Sequence, residues 1–333
     1  MSKIDVHHHF YPRSSPKPHI NILISILALK RAGGDPSGWF IPDWTLQADQ
    51  ELNTKIGTGT SILSMTAPGA CIEKDPVAAA TLARTSNEHA ANIRDNHPKS
   101  YGFFASLPSL LDTDACLTEI TYSLDVLKAD GVIIFTRYGD DNYYIGHPDF
   151  TPIWEELNRR HALVFVHPTH AVDTALVNSN LPQPMFDYPH ETGRTAMDLI
   201  TRGTLRKFPD VKIILSHAGG TLPWLINRPA TMLPYTSVDI ALSTKEILDE
   251  ARKFYFDTAL SSAHVMLDLL YKIADPDHVL FGCDFPNAPV PSISVFTEQF
   301  DSYKHEGMDH VKLTRRNALR ILPRLDLQER LSE

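Results

Sequence analysis

A chain of 333 residues that is 43% hydrophobic and 21% charged has ample apolar mass for a core, which excludes global disorder. Its 40 acidic against 31 basic residues leave a net charge of −9. That balance argues against a general nucleic-acid or anionic-membrane surface, and it requires any anionic ligand to be held by a few placed arginines or a metal.

The first β-branched run is Lys3–His7 (KIDVH), continued directly by His8 and His9. The start MSKIDVHHHFYP has no apolar secretory segment, and the three cysteines show no CxxC spacing. A cytoplasmic protein without disulfides or a cysteine-ligated zinc is therefore expected. Ile20–Leu29 is the longest apolar run; broken by Asn21 and Ser25, it is too short to span a bilayer and reads as a buried or interfacial helix. It lies within Arg13–Trp44, a long loop of the kind that is usually functional.

The strand Thr60–Thr66 comes next, then an Ala-rich helix over Asp75–Asn96 with Asp75 as N-cap and Pro76 at the first helical position. Strand Gly102–Leu107 precedes the helix Asp114–Ala129, whose Ala115, Leu117, Ile120, Leu124 and Leu127 recur at helical spacing. Strand Gly131–Thr136 is followed by helix Phe150–Arg160. Strand Leu163–His167 leads through a second long loop, Thr169–Pro189, to helix Glu191–Lys207. Strand Lys212–His217 precedes helices Leu222–Met232 and Lys245–Lys253. Strand Phe254–Thr258 is paired with helix Ala263–Ile273, and strand Val279–Cys283 with helix Ser292–Lys304.

These strands are continuously apolar, as strands buried on both faces are. Eight strand–helix units predict one (β/α)8 TIM barrel domain over residues 1–333, with an inserted loop and helix after the first strand. The alternative, an open doubly wound sheet, lacks the Gly-rich phosphate loop expected after its first strand.

In such a barrel the site is built at the C-terminal ends of the strands. Strand one ends in His7-His8-His9, strand five at His167 and strand six at His217, and strand eight runs into Asp284. His7 and His9 point to one side of an extended segment and His8 to the other. A single histidine of this kind is often only a buried, hydrogen-bonded group. Together, positions spread over the whole chain converge on one rim, which favours a metal site.

The runs IDVHHHFYP, FVHPTH, SHAGG and FGCDFP, in this order, resemble the amidohydrolase superfamily. More narrowly they resemble its metal-dependent decarboxylases, the group of aminocarboxymuconate-semialdehyde decarboxylase and γ-resorcylate decarboxylase. The segment SNEHAANIRDNHPKSYGFFASLP extends the likeness. The resemblance implies His7, His9, His167 and Asp284 as metal ligands and His217 as the catalytic histidine, with Asp284 a second candidate for the proton donor. It implies one ion rather than two, because neither GVIIFTRYG nor GFFASLP holds the lysine that binuclear members carbamylate. Three imidazoles and a carboxylate suit Zn²⁺, with Mn²⁺ as the alternative, and no organic cofactor is expected.

In the semialdehyde branch an arginine eleven residues after the catalytic histidine reaches a neighbouring subunit's site. The matching residue is Arg228, which implies a homodimer whose interface includes Leu222–Met232; the other reading is a surface arginine on the helix after strand six. That branch's other carboxylate arginine has no match around Ile41–Thr66, which favours a monocarboxylate such as a salicylate. The implied reaction is non-oxidative decarboxylation of an ortho-hydroxybenzoate; metal-dependent hydrolysis of a lactone or amide is the rival, and a non-catalytic metal-binding protein the remote third reading.

Other rim residues carry two readings each. Arg137 binds substrate or orders a loop. Trp39, Phe40 and Trp44 wall an aromatic pocket or pack locally. His170 and Glu191 support a ligand imidazole from behind, or in the case of Glu191 complement a helix dipole. Cys283 reads as core.

Overall fold

Eight strands pair in parallel, each with the next in the chain, in the computed structural model, which describes residues 2–11, 24–238, 242–306 and 309–330. They are β1 (Lys3–Phe10), β2 (Thr58–Met65), β3 (Tyr101–Ser106), β4 (Gly131–Phe135), β5 (Leu163–His167), β6 (Lys212–Leu215), β7 (Tyr255–Asp257) and β8 (Val279–Leu280). The ring closes between first and last strands. Val6 N–H donates to Phe281 O at 3.0 Å, and Asp284 N–H to His7 O at 2.8 Å. The expected (β/α)8 barrel is the architecture observed.

The first strand is longer than its β-branched run suggests. It continues through all three histidines and carries a bulge, one extra residue between Asp5 and His8. Every residue of β1 is buried, so the histidines stand inside the barrel mouth rather than beyond it. Beneath them Phe165 packs its ring 4.9 Å from that of His7 and 5.6 Å from Phe104.

Three departures from the sequence expectation have physical causes. The helix Leu46–Ile56 has no counterpart in the expected elements. Thr45 caps it by accepting from Ala48 N–H, and Gly57 ends it at φ +72°. Its buried face is Asp49, Leu52, Asn53 and Ile56, half of it polar, so it carries no apolar stripe.

The helix expected over Glu191–Lys207 starts at Gln183, passes through Pro189 and breaks at Gly203 before a last turn, Thr204–Lys207. Pro189 withholds one N–H, while its carbonyl accepts from Thr221 N–H at 3.0 Å. A Cβ on Gly220 would stand 2.1 Å from that same carbonyl oxygen, so only glycine fits there. The stretch Leu222–Met232 is likewise two short turns, Leu222–Leu225 and Asn227–Met232.

Asp75 caps the helix Pro76–Asn96 as expected. The apolar run Ile20–Leu29 is helical from Ile24 to Arg31; residues 20–23, and Arg13 with those after it, lie outside the described residues.

Candidate active site

β1 supplies the first two donors. His7 and His9 alternate with His8, so their rings share the barrel interior, with Nε2 atoms 3.1 Å apart. Asp284 follows β8 at φ +64°, a left-handed conformation that aspartate tolerates better than most side chains. Its Oδ1 lies 3.4 Å from His7 Nε2 and 3.3 Å from His9 Nε2. His167, the last residue of β5, completes a group whose donor atoms lie within 4.8 Å of one another.

The outer ring nitrogens are all engaged. His7 Nδ1 faces Asp257 Oδ2 at 3.0 Å, and His9 Nδ1 faces Ser64 O at 3.2 Å and Ser64 Oγ at 3.0 Å, that hydroxyl giving its own hydrogen to His8 O. His167 Nδ1 faces Pro168 O at 2.7 Å, and His217 Nδ1 faces Ala259 O at 3.0 Å. Each partner is an acceptor, so each Nδ1 carries the hydrogen and each neutral imidazole presents a bare lone pair at Nε2. The lone pairs of His7 and His9 then converge beside Asp284 Oδ1, a buried carboxylate oxygen with no hydrogen-bond partner. Acceptors crowded together without a donor are satisfied by a cation, and this donor set fits a single divalent ion with an open position.

The electrostatics agree. Burial opposes charge on His7, but the Asp257 and Asp284 carboxylates outweigh it and hold its pKa up at about 10. Burial alone would raise Asp284; the neighbouring His7 holds it well below the usual carboxylate range. Burial pushes His9 and His167 down, which leaves their nitrogens bare. The centre is thus a place that favours positive charge, met by a proton or by a metal ion.

His217 follows β6 at φ +54°, with its ring 4.7 Å from that of His7 and 6.0 Å from that of His167. Burial, and then His7, push its pKa down. With Nδ1 tied to Ala259 O, Nε2 is the nitrogen it can offer to the cavity that it lines. That cavity holds about 300 Å³, is walled mainly by apolar side chains such as Leu260 and Phe296, and is bordered by His167, His217 and Asp284. Its size sits at the small-ligand end of ordinary binding pockets.

Asp257 was not among the sequence candidates. Its Oδ2 takes His7 Nδ1, and its Oδ1 accepts from His217 N–H at 3.1 Å and Ala259 N–H at 2.9 Å. One carboxylate therefore orients a metal-facing imidazole and pins the turn that carries His217. The signal was present, since FYFDT ends a predicted strand on the same rim.

The other candidates divide. Trp39 lines the cavity and donates through Nε1 to Asn287 O at 3.0 Å. Trp44 does not wall it; it is buried, with Nε1 donating to Asp49 Oδ2. Arg137 faces a neighbouring crevice and gives its donors to the backbone carbonyls of Gly139, Asp141, His170 and Ala171, so it orders loops instead of meeting substrate. His170 lines that crevice too and supports no ligand; burial lowers its pKa to about 4. Glu191 accepts from Tyr144 OH at 2.8 Å, not from a ligand imidazole. Arg228 is exposed on the turn Asn227–Met232, outside its own chain's cavity.

His8 points away from the centre. It is fully buried between Asp5 Oδ2 at 3.0 Å and Asp49 Oδ2 at 2.8 Å, and Asp49 also accepts from Tyr101 OH at 2.7 Å. His8→Ala leaves these carboxylates without their shared partner. It is expected to cost about 3–5 kcal/mol of stability, read as a lower denaturation midpoint, while the folded fraction still binds metal. An unchanged midpoint would refute the structural role.

The amidohydrolase family model matches residues 4–324. The chain is 56% identical to a 6-methylsalicylic acid decarboxylase of Penicillium expansum over 325 residues, covering 98% of this chain and 97% of that one. It is 57% identical to a 6-methylsalicylic acid decarboxylase of Aspergillus aculeatus over 333 residues, covering 98% of each. Among solved structures it is similar to a dihydroxybenzoic acid decarboxylase from Polaromonas with bound manganese and the inhibitor 2-nitroresorcinol. That likeness has a TM-score of 0.79 at 22% identity and covers 97% of both chains.

Proposed function

The chain belongs to the amidohydrolase family, and on that premise we propose that it is a metal-dependent carboxy-lyase acting on a small aromatic ortho-hydroxy acid, 6-methylsalicylate or a near analogue, which it converts to m-cresol and CO₂. The observation that carries the reading is the union of one cation centre with a small, mainly apolar cavity. Among the described residues of this chain that line the cavity there is no lysine or arginine, so within the chain the metal centre is the anchor for a monocarboxylate.

A bound divalent ion, Zn²⁺ or Mn²⁺, supplies Lewis-acid anchorage for the carboxylate and the adjacent phenolate oxygen. His7, His9, His167 and Asp284 are the residues that would hold it. The reaction needs a proton on the ring carbon bearing the carboxylate; CO₂ loss then restores aromaticity. His217 and Asp284 border the cavity beside the metal centre, and to one of them we assign that proton. Trp39, Leu260 and Phe296 present apolar walls to a flat ring and keep water from it. Proton transfer suffices for this chemistry, so no organic cofactor is called for.

The test is incubation of metal-loaded protein with 6-methylsalicylate in isotopically labelled water. The expected result is m-cresol and CO₂, with no oxygen from water in the cresol. Uptake of water oxygen from a lactone or amide panel, with the salicylate untouched, would make the protein a hydrolase instead.

We place the protein in the cytoplasm, in keeping with its three free cysteines; among the described residues no helix is long and apolar enough to cross a membrane. We also infer a homodimer. Trp224 (78% exposed) and Tyr235 (87% exposed) flank Arg228, together with the exposed Leu225 and Met232. Such a patch is what a second copy can cover. In a homodimer sharing that face, the Arg228 guanidinium would meet a carboxylate in the partner's site. Arg228→Ala is expected to raise KM for the carboxylate substrate by about 10–100-fold, the equivalent of a lost charge-assisted contact, with metal content intact. Mixing it with His217→Asn protein is expected to restore activity in hybrid dimers. No recovery despite verified subunit exchange would sink the shared site.

A further inference from the structure

Beyond the metal-centre group Asp284, the described residues lining the reaction cavity include one other formally charged side chain, and it is negative: Asp35. It belongs to the segment that links the helix Ile24–Arg31 to Trp39. Its direction is fixed locally, because its Oδ1 accepts from Ser37 N–H at 2.8 Å and from Ser37 Oγ at 2.6 Å. The segment itself is tied down on two sides of the cavity. Ser37 O accepts from Gln183 N–H at 3.1 Å, and Trp39 Nε1 donates to Asn287 O at 3.0 Å.

The segment is also a partition. Ala32 and Pro36 line the neighbouring crevice, whereas Asp35, Ser37 and Trp39 line the reaction cavity. Asp35 is half-buried. Burial raises its carboxyl above the usual carboxylate range, while the two hydrogen bonds from Ser37 favour the charged form. Burial first, and Asp35 next, push the phenols of Tyr11 and Tyr188 up; Tyr11 is further raised by Asp284.

A fixed carboxylate is an unexpected wall for a site that takes an anionic substrate. A monocarboxylate tolerates it by delivering its one charge to the metal centre. A ring with a second anionic group brings that charge against Asp35 as well. The cavity is only about 300 Å³, and no lysine or arginine among its described lining residues offsets Asp35. We propose that Asp35 is a specificity-determining residue that rejects aromatic acids bearing a second negative charge, through like-charge repulsion inside the cavity. The proposal rests on the decarboxylase reading above for the orientation of the substrate.

Binding can be read apart from turnover. Dissociation constants would be measured by calorimetry on metal-loaded wild type and on Asp35→Asn, whose amide oxygen still accepts from Ser37. The ligands are 5-carboxysalicylate and its neutral isostere 5-carbamoylsalicylate, and the corresponding pair substituted at ring position 4. In wild type the carbamoyl compound of at least one pair is expected to bind more tightly than the carboxy compound. In Asp35→Asn that ratio is expected to fall by about tenfold or more, the scale of one close like-charge contact in a partly buried site. Asp35→Ser serves the same comparison if the asparagine variant fails to fold.

An unchanged ratio at both ring positions overturns the proposal. So does an equal gain for charged and neutral compounds, which would mean that Asp35 acts by bulk or loop position. Wild type that shows the ratio yet does not decarboxylate 6-methylsalicylate would refute the reaction and leave the charge filter standing.

Discussion

Purified His7→Ala protein is expected to carry only traces of divalent metal and to show no measurable turnover. His7 is the centre's most heavily supported donor. Its Nε2 faces both His9 and Asp284, and its Nδ1 is held by Asp257. Removing it leaves three donors and opens a void against Phe165. A site with three protein ligands instead of four holds its ion more weakly, and the ion's binding free energy is coupled to ligand deprotonation and site geometry. Disturbing only the group behind a ligand typically costs 10–100-fold in affinity, so loss of the ligand itself is expected to exceed about 100-fold. Elemental analysis after dialysis decides the matter, with His8→Ala as the companion. Full occupancy in His7→Ala would end the assignment, and loss of metal from folded His8→Ala with retention in His7→Ala would reverse the phase of β1.

His217→Asn gives the second large effect, on rate and not on metal. Asparagine suits the left-handed conformation at φ +54°, and its amide can still donate to Ala259 O, so the backbone turn should survive. What disappears is the imidazole Nε2 at the edge of the cavity. A positioned acid–base group contributes about 10²–10⁴-fold, so kcat is expected to fall by that factor while metal content and folding stay at wild-type levels. Turnover within about threefold of wild type would remove His217 from the proton-handling groups and leave Asp284 as the donor.

The barrel was legible because its strands are continuous apolar runs with chemical side chains at their C-terminal ends. The same feature located His7, His9, His167, His217 and Asp284, which the structure brings together. What escaped has separate causes. The helix Leu46–Ile56 buries Asp49 and Asn53 beside Leu52 and Ile56, so a search for apolar periodicity passes over it. Gln183–Thr201 carries a proline within, which reads as a stop until Thr221 is seen donating to Pro189 O.

Aromatic and charged residues near a rim suggest contact with substrate, for Trp44 and Arg137, or support of a metal-facing imidazole, for His170 and Glu191. Whether such a side chain faces inward or is consumed by its neighbours depends on loop paths that local sequence does not encode. Asp257 was missed for the opposite reason. A single acid ending a strand looks ordinary until His7 is found against one of its oxygens and the His217 N–H against the other.

The seam of the barrel adds a constraint on assembly. His7 and His9 lie on the first strand and Asp284 just beyond the last, joined where Asp284 N–H meets His7 O. Three of the four donors thus sit on the two edges that join to close the ring, across nearly the whole chain. Closing so long a loop is entropically costly and yields no centre until it is complete. A nascent chain that has released only its first strands therefore holds two histidines and no pocket for an ion. With the four ligands proposed above, the ion would be acquired only after synthesis has passed Asp284, and once seated it would stabilise the joined edges more strongly as its free concentration rises. In such a chain, metal supply governs how firmly the ring stays shut as well as how fast the enzyme works.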